Sequence, residues 1–265
     1  MSDAEVPLEG STQGPVVRVG DTVHRLPRPQ TPAVNALLMH LEAAGFEGSP
    51  RFLGTDDQGR EVLSFVPGEV GVRTPSLDPP AYIRSDAYLD GVARLLRRMH
   101  DSTVGFLPPV GASWEYLQGQ ERGGEVVCHN DVGPYNIVCR DELPVALIDW
   151  DQTTPGAREW DIAYALYRCV PFYPDDICTR VLHWPTSPDR QGRVALFLEA
   201  YGWDGSKTEV LAAMERRIEA MIQTGLQRHA EGHSIYDATW KKVVLPRLYR
   251  DLEFVRSQQP TANGQ

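Results

Sequence analysis

Residues 126–140 read Val-Val-Cys-His-Asn-Asp-Val-Gly-Pro-Tyr-Asn-Ile-Val-Cys-Arg, and residues 145–151 read Val-Ala-Leu-Ile-Asp-Trp-Asp. Two short apolar runs, Ile137 to Arg140 and Val145 to Ile148, flank Asp141-Glu142-Leu143-Pro144. This is the pattern of two strands joined by a turn. With the turn's midpoint between Glu142 and Leu143, Asn136 and Asp149 are equally far from it, so antiparallel pairing predicts them side by side. An amide oxygen and a carboxylate at one end of a hairpin are hard donors of the kind magnesium takes while it also holds phosphates. Asp131, in the preceding loop, is placed to accept a proton from a hydroxyl nucleophile.

His129, Asp131 and Asn136 have the spacing H-x-D-x-x-x-x-N, the catalytic-loop pattern of kinases, and a further Asp closes the next hairpin. Alone, an H-x-D is more simply a capped turn with a satisfied histidine. The ordered coincidence of loop, hairpin and second Asp makes the signal specific.

Upstream, the chain reads as strands: Val16 to Val19, a Gly20-Asp21 turn, and Thr22 to Leu26. Pro32 then opens a helix with Val34, Leu37, Leu38 and Leu41 on one stripe, and Gly45 stops it. Arg51 to Gly54 and Arg60 to Val66 are two more strands, so residues 5–66 form a small sheet carrying one helix. After the prolines at 75, 79 and 80 the periodicity turns helical, with Tyr88, Val92, Leu95, Leu96 and Met99 on one face. Further helices are expected near 156–168, 187–201, 208–231 and 234–256. A β-rich front and a larger helical back make the fold class α+β.

Composition bounds the function. With 42% hydrophobic and 23% charged residues the chain is globular. Its formal charge of −10 opposes nucleic acid and anionic membrane as partners. No run is long and apolar enough for a membrane helix, and the start lacks signal-peptide character, so a cytoplasmic location is expected. Four scattered cysteines without a C-x-x-C pair read as reduced thiols.

The chain resembles the aminoglycoside phosphotransferase family, related to choline and homoserine kinases. The resemblance lies in PLEGSTQGPVVRVGDTVHRLPRP at 7–29, LSFVPGE at 63–69, VCHNDVGPYNIV at 127–138, LIDWD at 147–151 and REWDIAYAL at 158–166. It implies a two-lobed, protein-kinase-like fold, with a nucleotide-binding N-lobe at 5–66 and a C-lobe at 67–256 carrying the catalytic loop and substrate pocket. By the same resemblance Asp131 is the catalytic base, Asn136 and Asp149 hold Mg2+, and His129 and Asp161 brace the loop. The implied donor is ATP or GTP. The implied acceptor is a small-molecule hydroxyl on an aminoglycoside or similar antibiotic, with a choline-, homoserine- or sugar-type alcohol as the alternative. A nucleotide-binding regulatory module with impaired catalysis is a second alternative.

On the nucleotide side, Ser11 and Thr12 in Gly10-Ser11-Thr12-Gln13-Gly14 offer hydroxyls and backbone N–H groups to phosphates. Kinases place a strand lysine against the α- and β-phosphates, yet no lysine occurs before residue 207. Arg25 holds the matching position, and arginine binds phosphate through a planar fork. The helix glutamate that would orient it is missing, because the matching position is Val34 and Glu42 lies too far along. Arg28 is expected to be an exposed neighbour. Backbone near Ser64 and Val66 is expected to meet the nucleobase. Asp151 reads equally as a reach toward a second metal or as an exposed carboxylate.

Overall fold

The computed structural model describes residues 4–8, 14–71 and 79–259 of the 265-residue chain. Its front is an antiparallel sheet in the order β1-β2-β3-β5-β4. The strands are β1 (Val6–Pro7), β2 (Val16–Val19), β3 (Thr22–Arg25), β4 (Phe52–Thr55) and β5 (Glu61–Ser64). Gly20 turns β2 into β3 at a φ of 57°, a left-handed value glycine adopts without steric cost. Helix α1 (Thr31–Ala43) follows β3 and buries Val34, Leu37, Leu38 and Leu41, the stripe its periodicity predicts.

The connection leaving β5 runs through Pro67 and Gly68 into β6 (Glu69–Val70), which pairs with β8 (Ile137–Arg140). A Cβ at Gly68 would lie 2.5 Å from the Cys139 carbonyl oxygen, so only glycine lets this connector approach the hairpin. Helix α2 (Asp86–Thr103) is capped by Ser85, whose hydroxyl accepts from Tyr88 N at 3.1 Å. Its buried face carries Tyr88, Val92, Leu95, Leu96 and Met99 into the main core.

The loop that carries His129, Asp131 and Asn136 lies between β7 (Val126–Cys128) and β8, and β9 (Leu143–Leu147) completes the hairpin. Strand β10 (Thr154–Gly156) returns to pair with β7. The rest is helical: α3 (Arg158–Cys169), α4 (Asp175–Arg180), α5 (Arg190–Tyr201), α6 (Lys207–Ala230) and α7 (Leu245–Ser257). All four cysteines are buried and free. No helix among the described residues is long and apolar enough to cross a membrane.

Residues 234–256, expected as one helix, are broken. Ser234–Tyr236 is a 3₁₀ turn and Trp240–Val244 a π-helical turn before α7 begins. The Asp237 carboxylate accepts from Trp240 N at 2.9 Å, and the indole lies against Gly225 of α6, where a Cβ would meet it at 2.1 Å. Pro246 in the first turn of α7 lacks the N–H that a continuous helix would need, and the break lets Trp240 seat there.

Candidate active site

The loop after β7 is fixed from behind by one carboxylate. Asp161, in the first turn of α3, accepts the backbone N–H of His129 at 2.7 Å and of Asn130 at 2.9 Å, and lies 3.2 Å from His100 Nε2. Burial pushes its pKa up, but the His100 contact and the His129 N–H outweigh burial and hold it below the ordinary carboxylate value. Asn130 takes a φ of 66°; its side chain donates to Gln152 O and Thr154 Oγ1, and Arg217 of α6 donates to its carbonyl and, at 3.3 Å, to its Oδ1. His129 is buried, and burial pushes its pKa down, which keeps the ring neutral. Its Nε2 donates to Ile148 O at 3.1 Å, so Nδ1 faces the N–H of Asp131 at 3.4 Å as the acceptor.

Asp131 is buried, with both oxygens engaged. Oδ1 accepts from Tyr135 Oη at 2.7 Å and Tyr164 Oη at 3.0 Å, and Oδ2 from Asn136 Nδ2 at 2.9 Å. Burial raises both phenol pKa values, so the tyrosines remain donors. Asn136 Nδ2 also reaches Asp131 O at 3.0 Å, which ties carboxylate and amide into one unit.

The hairpin register differs from the symmetric expectation. Arg140 pairs with Leu143, so the turn is Asp141-Glu142 alone, both at positive φ, and Leu143 and Pro144 belong to β9. A register shift between Val138 and Cys139 then inserts one residue, and Asn136 O accepts from Ile148 N at 2.9 Å. Asn136 is therefore opposite Ile148, and Asp149 stands one residue beyond. Asp149 takes a left-handed conformation, φ 63° and ψ 65°, that directs the chain into a 3₁₀ turn at Trp150–Gln152. Its side chain is 43% exposed. Surrounding protein raises its pKa first, and the Asp151 and Asp131 carboxylates add to the rise.

Arg25 does have a glutamate partner. It comes from the neighbouring strand: Arg25 and Glu61 are register partners on β3 and β5, with Nε to Oε2 at 2.5 Å. Val34 is buried in the core, and Glu42 pairs with Arg51 at 3.7 Å. Arg25 Nη2 also meets Asp151 Oδ1 at 2.8 Å, and Nη1 lies 3.9 Å from Asp149. Arg28 is not an exposed neighbour, because its guanidinium closes on Asp151 Oδ2. Asp151, for its part, is buried between two arginines and not exposed to solvent.

Ser64 N–H and hydroxyl are both engaged by Arg51, through its carbonyl and its N–H. Val66 lies in the connector just beyond β5. Ser11 and Thr12 lie outside the described residues.

Two cavities lie near this site. An outer one of about 840 Å3 runs from Arg28 and Gln30 to Trp114, Tyr116 and Tyr236. An inner one of about 260 Å3 is lined by Tyr164 and Gln152, both of which contact Asp131. Leu117 and Tyr236 line both. Sequence reasoning missed Glu61, Tyr135, Arg217 and the role of Tyr164. Tyr135 sits inside the motif and was within reach; Glu61 and Arg217 depend on long-range pairing.

Comparison with known proteins settles the affiliation. Residues 112–183 match the phosphotransferase enzyme family. The trifolitoxin immunity protein of Rhizobium leguminosarum bv. trifolii is 38% identical over 202 residues, 75% of this chain and 74% of that protein. The chain belongs to the phosphotransferase enzyme family. Among solved structures, this phosphotransferase-family chain is similar to a choline/ethanolamine kinase family protein from Mesorhizobium loti, with TM-score 0.60, 16% identity, and 96% and 92% of the two chains covered. It is also similar to APH(2″)-IIa in its ternary complex with streptomycin and ATP, with TM-score 0.54, 12% identity, and 86% and 89% covered. The two-lobed kinase-like fold expected from the sequence is thus the fold of the chain.

Proposed function

We propose that the chain transfers the γ-phosphoryl group of ATP or GTP to a hydroxyl of a small molecule. The observation that carries this reading is the Asp131 carboxylate, locked by Tyr135, Tyr164 and Asn136, with Tyr164 also lining the inner cavity. Asp131 orients the acceptor hydroxyl and takes its proton. His129 and Asp161 hold the loop that presents it, and fixed positioning supplies most of the rate enhancement.

The donor set at Asn136 and Asp149, a buried amide and a carboxylate whose side chain is 43% exposed, suits Mg2+. When bound, the ion neutralises phosphate charge. Residues 5–66 serve as the nucleotide-binding lobe and 67–256 as the catalytic and acceptor lobe. Ser11, Thr12 and backbone around Ser64 and Val66 are the proposed nucleotide contacts, and Val66 is the stronger of the last two because Ser64 is committed to Arg51. Arg25, held by Glu61 and Asp151, faces Asp149 at the phosphate end. The regulatory-module alternative drew its support from the absent Lys–Glu pair; the Arg25–Glu61 pair in its place weakens that support.

An antibiotic or toxin is favoured as acceptor over a metabolite alcohol by the relative's name, an immunity protein. A cytoplasmic enzyme fits such protection. The test is a panel of hydroxylated compounds incubated with Mg2+ and either ATP or GTP and read by product mass. A phosphorylated product supports the assignment; binding of nucleotide without any transfer across an inclusive panel sinks it.

A further inference from the structure

Three arginines, Arg168, Arg217 and Arg247, line the inner cavity, and no carboxylate does. Arg217 is committed to Asn130, and Arg247 leans toward Asp251 at 3.9 Å. Arg168 is different. Among the described residues no carboxylate lies within ion-pair distance of it, and its Nε is cut off from solvent without a hydrogen-bond partner. Its guanidinium is instead surrounded by the rings of Tyr135, Tyr167 and Tyr173, at 5.1, 5.7 and 5.8 Å. Asp251, the acid behind this wall, is already bonded by Tyr167 Oη at 2.6 Å.

Arg168 is half-buried, with its Nε cut off from solvent, and ring faces offset only part of the cost of holding a cation there with no carboxylate among the described residues in ion-pair range. An incoming anion would supply the missing partner, and a guanidinium fork matches carboxylate or phosphate oxygens. The site is also joined to the chemistry: the Tyr135 ring that touches Arg168 donates its Oη to Asp131 at 2.7 Å. An anion on Arg168 therefore sits about one tyrosine ring from the base, so hydroxyl and anion would belong to one molecule a few bonds apart. A polycationic aminoglycoside would instead bring ammonium groups against three guanidiniums, a like-charge arrangement that selects against it.

Resting on the phosphotransferase reading above, we infer that the acceptor carries an anionic group, carboxylate or phosphate, beside its hydroxyl, and that Arg168 is the residue that selects it. Calorimetric titration of the full chain tests this with matched probes: N-acetyl-L-serine against N-acetyl-L-serinamide, glycerol 3-phosphate against glycerol, and kanamycin. The expected result is that at least one anion binds at least tenfold more tightly than its neutral partner, that kanamycin binds no more tightly than either anion, and that Arg168→Gln erases the preference while Arg168→Lys restores part. Whichever pair shows the preference identifies the anion as carboxylate or phosphate. Equal binding within both pairs, absence of binding by all probes, or a preference unchanged in Arg168→Gln would overturn the proposal; the wild-type comparison stands even if that variant fails to fold. Binding of Mg·ATP, weakened by Asp149→Asn, reads the underlying assignment separately. Its absence would sink the phosphotransferase reading, whereas its presence without anion preference sinks only the Arg168 site.

Discussion

Arg25 on β3 and Asp151 in the turn after Asp149 meet at 2.8 Å across the cleft between the sheet and the helical body, and Arg28 closes on the other oxygen of the same carboxylate. One buried acid thus fastens two arginines of the front lobe to the segment that carries the candidate metal ligand.

Removing that acid takes the described counter-ion from Arg28 and one of two close ones from Arg25, which keeps Glu61. Breaking a buried pair from one side costs about 3–5 kcal/mol, so Asp151→Ala should lower the unfolding free energy by about 3 kcal/mol. Urea denaturation measures it. Arg94→Ala, whose i,i+4 pair with Asp90 is on the surface with the arginine 60% exposed, serves as the control and should change stability by less than about 0.5 kcal/mol.

Arg25→Ala and Arg28→Ala should both weaken Mg·ATP binding, because each unfastens Asp151. Arg25→Ala should weaken it more, since it also strands the buried Glu61. Arg25→Lys should recover only part, as one ammonium cannot bridge Glu61 and Asp151 as the fork does. Kd values by titration separate the variants; a larger loss for Arg28→Ala would count against this order.

Stability should fall in two acid steps. His129 is held neutral with its folded pKa below 6.5, so the unfolded chain binds the extra proton first, and stability declines as pH drops below 6.5 toward the lower folded value. Asp161 has its folded pKa below 3.8; its contribution is complete above that value and is lost as pH falls through the depressed one. Denaturant titrations of His129→Asn and Asp161→Asn against wild type, from pH 7.5 to 3, read the steps. The wild-type advantage over His129→Asn should shrink through the upper window, and that over Asp161→Asn only in the lower.

The clustering of the candidate site residues was legible because they are close in sequence: His129, Asp131, Asn136 and Asp149 lie on one loop and one hairpin. Their exact offset was not. It depends on a two-residue left-handed turn at Asp141-Glu142 and one inserted residue, which the symmetric reading of the strands did not contain. Glu61 was missed for another reason. It became Arg25's partner only through β3–β5 pairing 36 residues apart, so a reading that sought the acid on α1 looked in the wrong element. Arg217 reaches Asn130 from 87 positions away, and no local pattern announces such a contact. The break before α7 had a local signal in Pro246, which stands in the first turn of α7, and the packing of Trp240 against Gly225 adds a long-range contribution that no local pattern shows.

Tyr135 and Tyr164 both donate to Asp131 Oδ1, so they should fix its orientation. Tyr164→Phe should reduce kcat about tenfold, the equivalent of one hydrogen bond to a charged group, with KM for the nucleotide unchanged. The double variant with Tyr135→Phe should lose more than either single one. A change confined to KM would instead mark the two phenols as ligand contacts.

The central claim is that Asp131 acts on the acceptor while Asn136 and Asp149 serve the metal–nucleotide complex. It is tested most directly by comparing Asp131→Ala with wild type for Mg·ATP affinity and for phosphoryl transfer to an acceptor found in the product-mass panel. The account predicts an unchanged Kd for Mg·ATP with transfer abolished. Loss of nucleotide binding with transfer retained, or equal transfer by the two proteins, would contradict it.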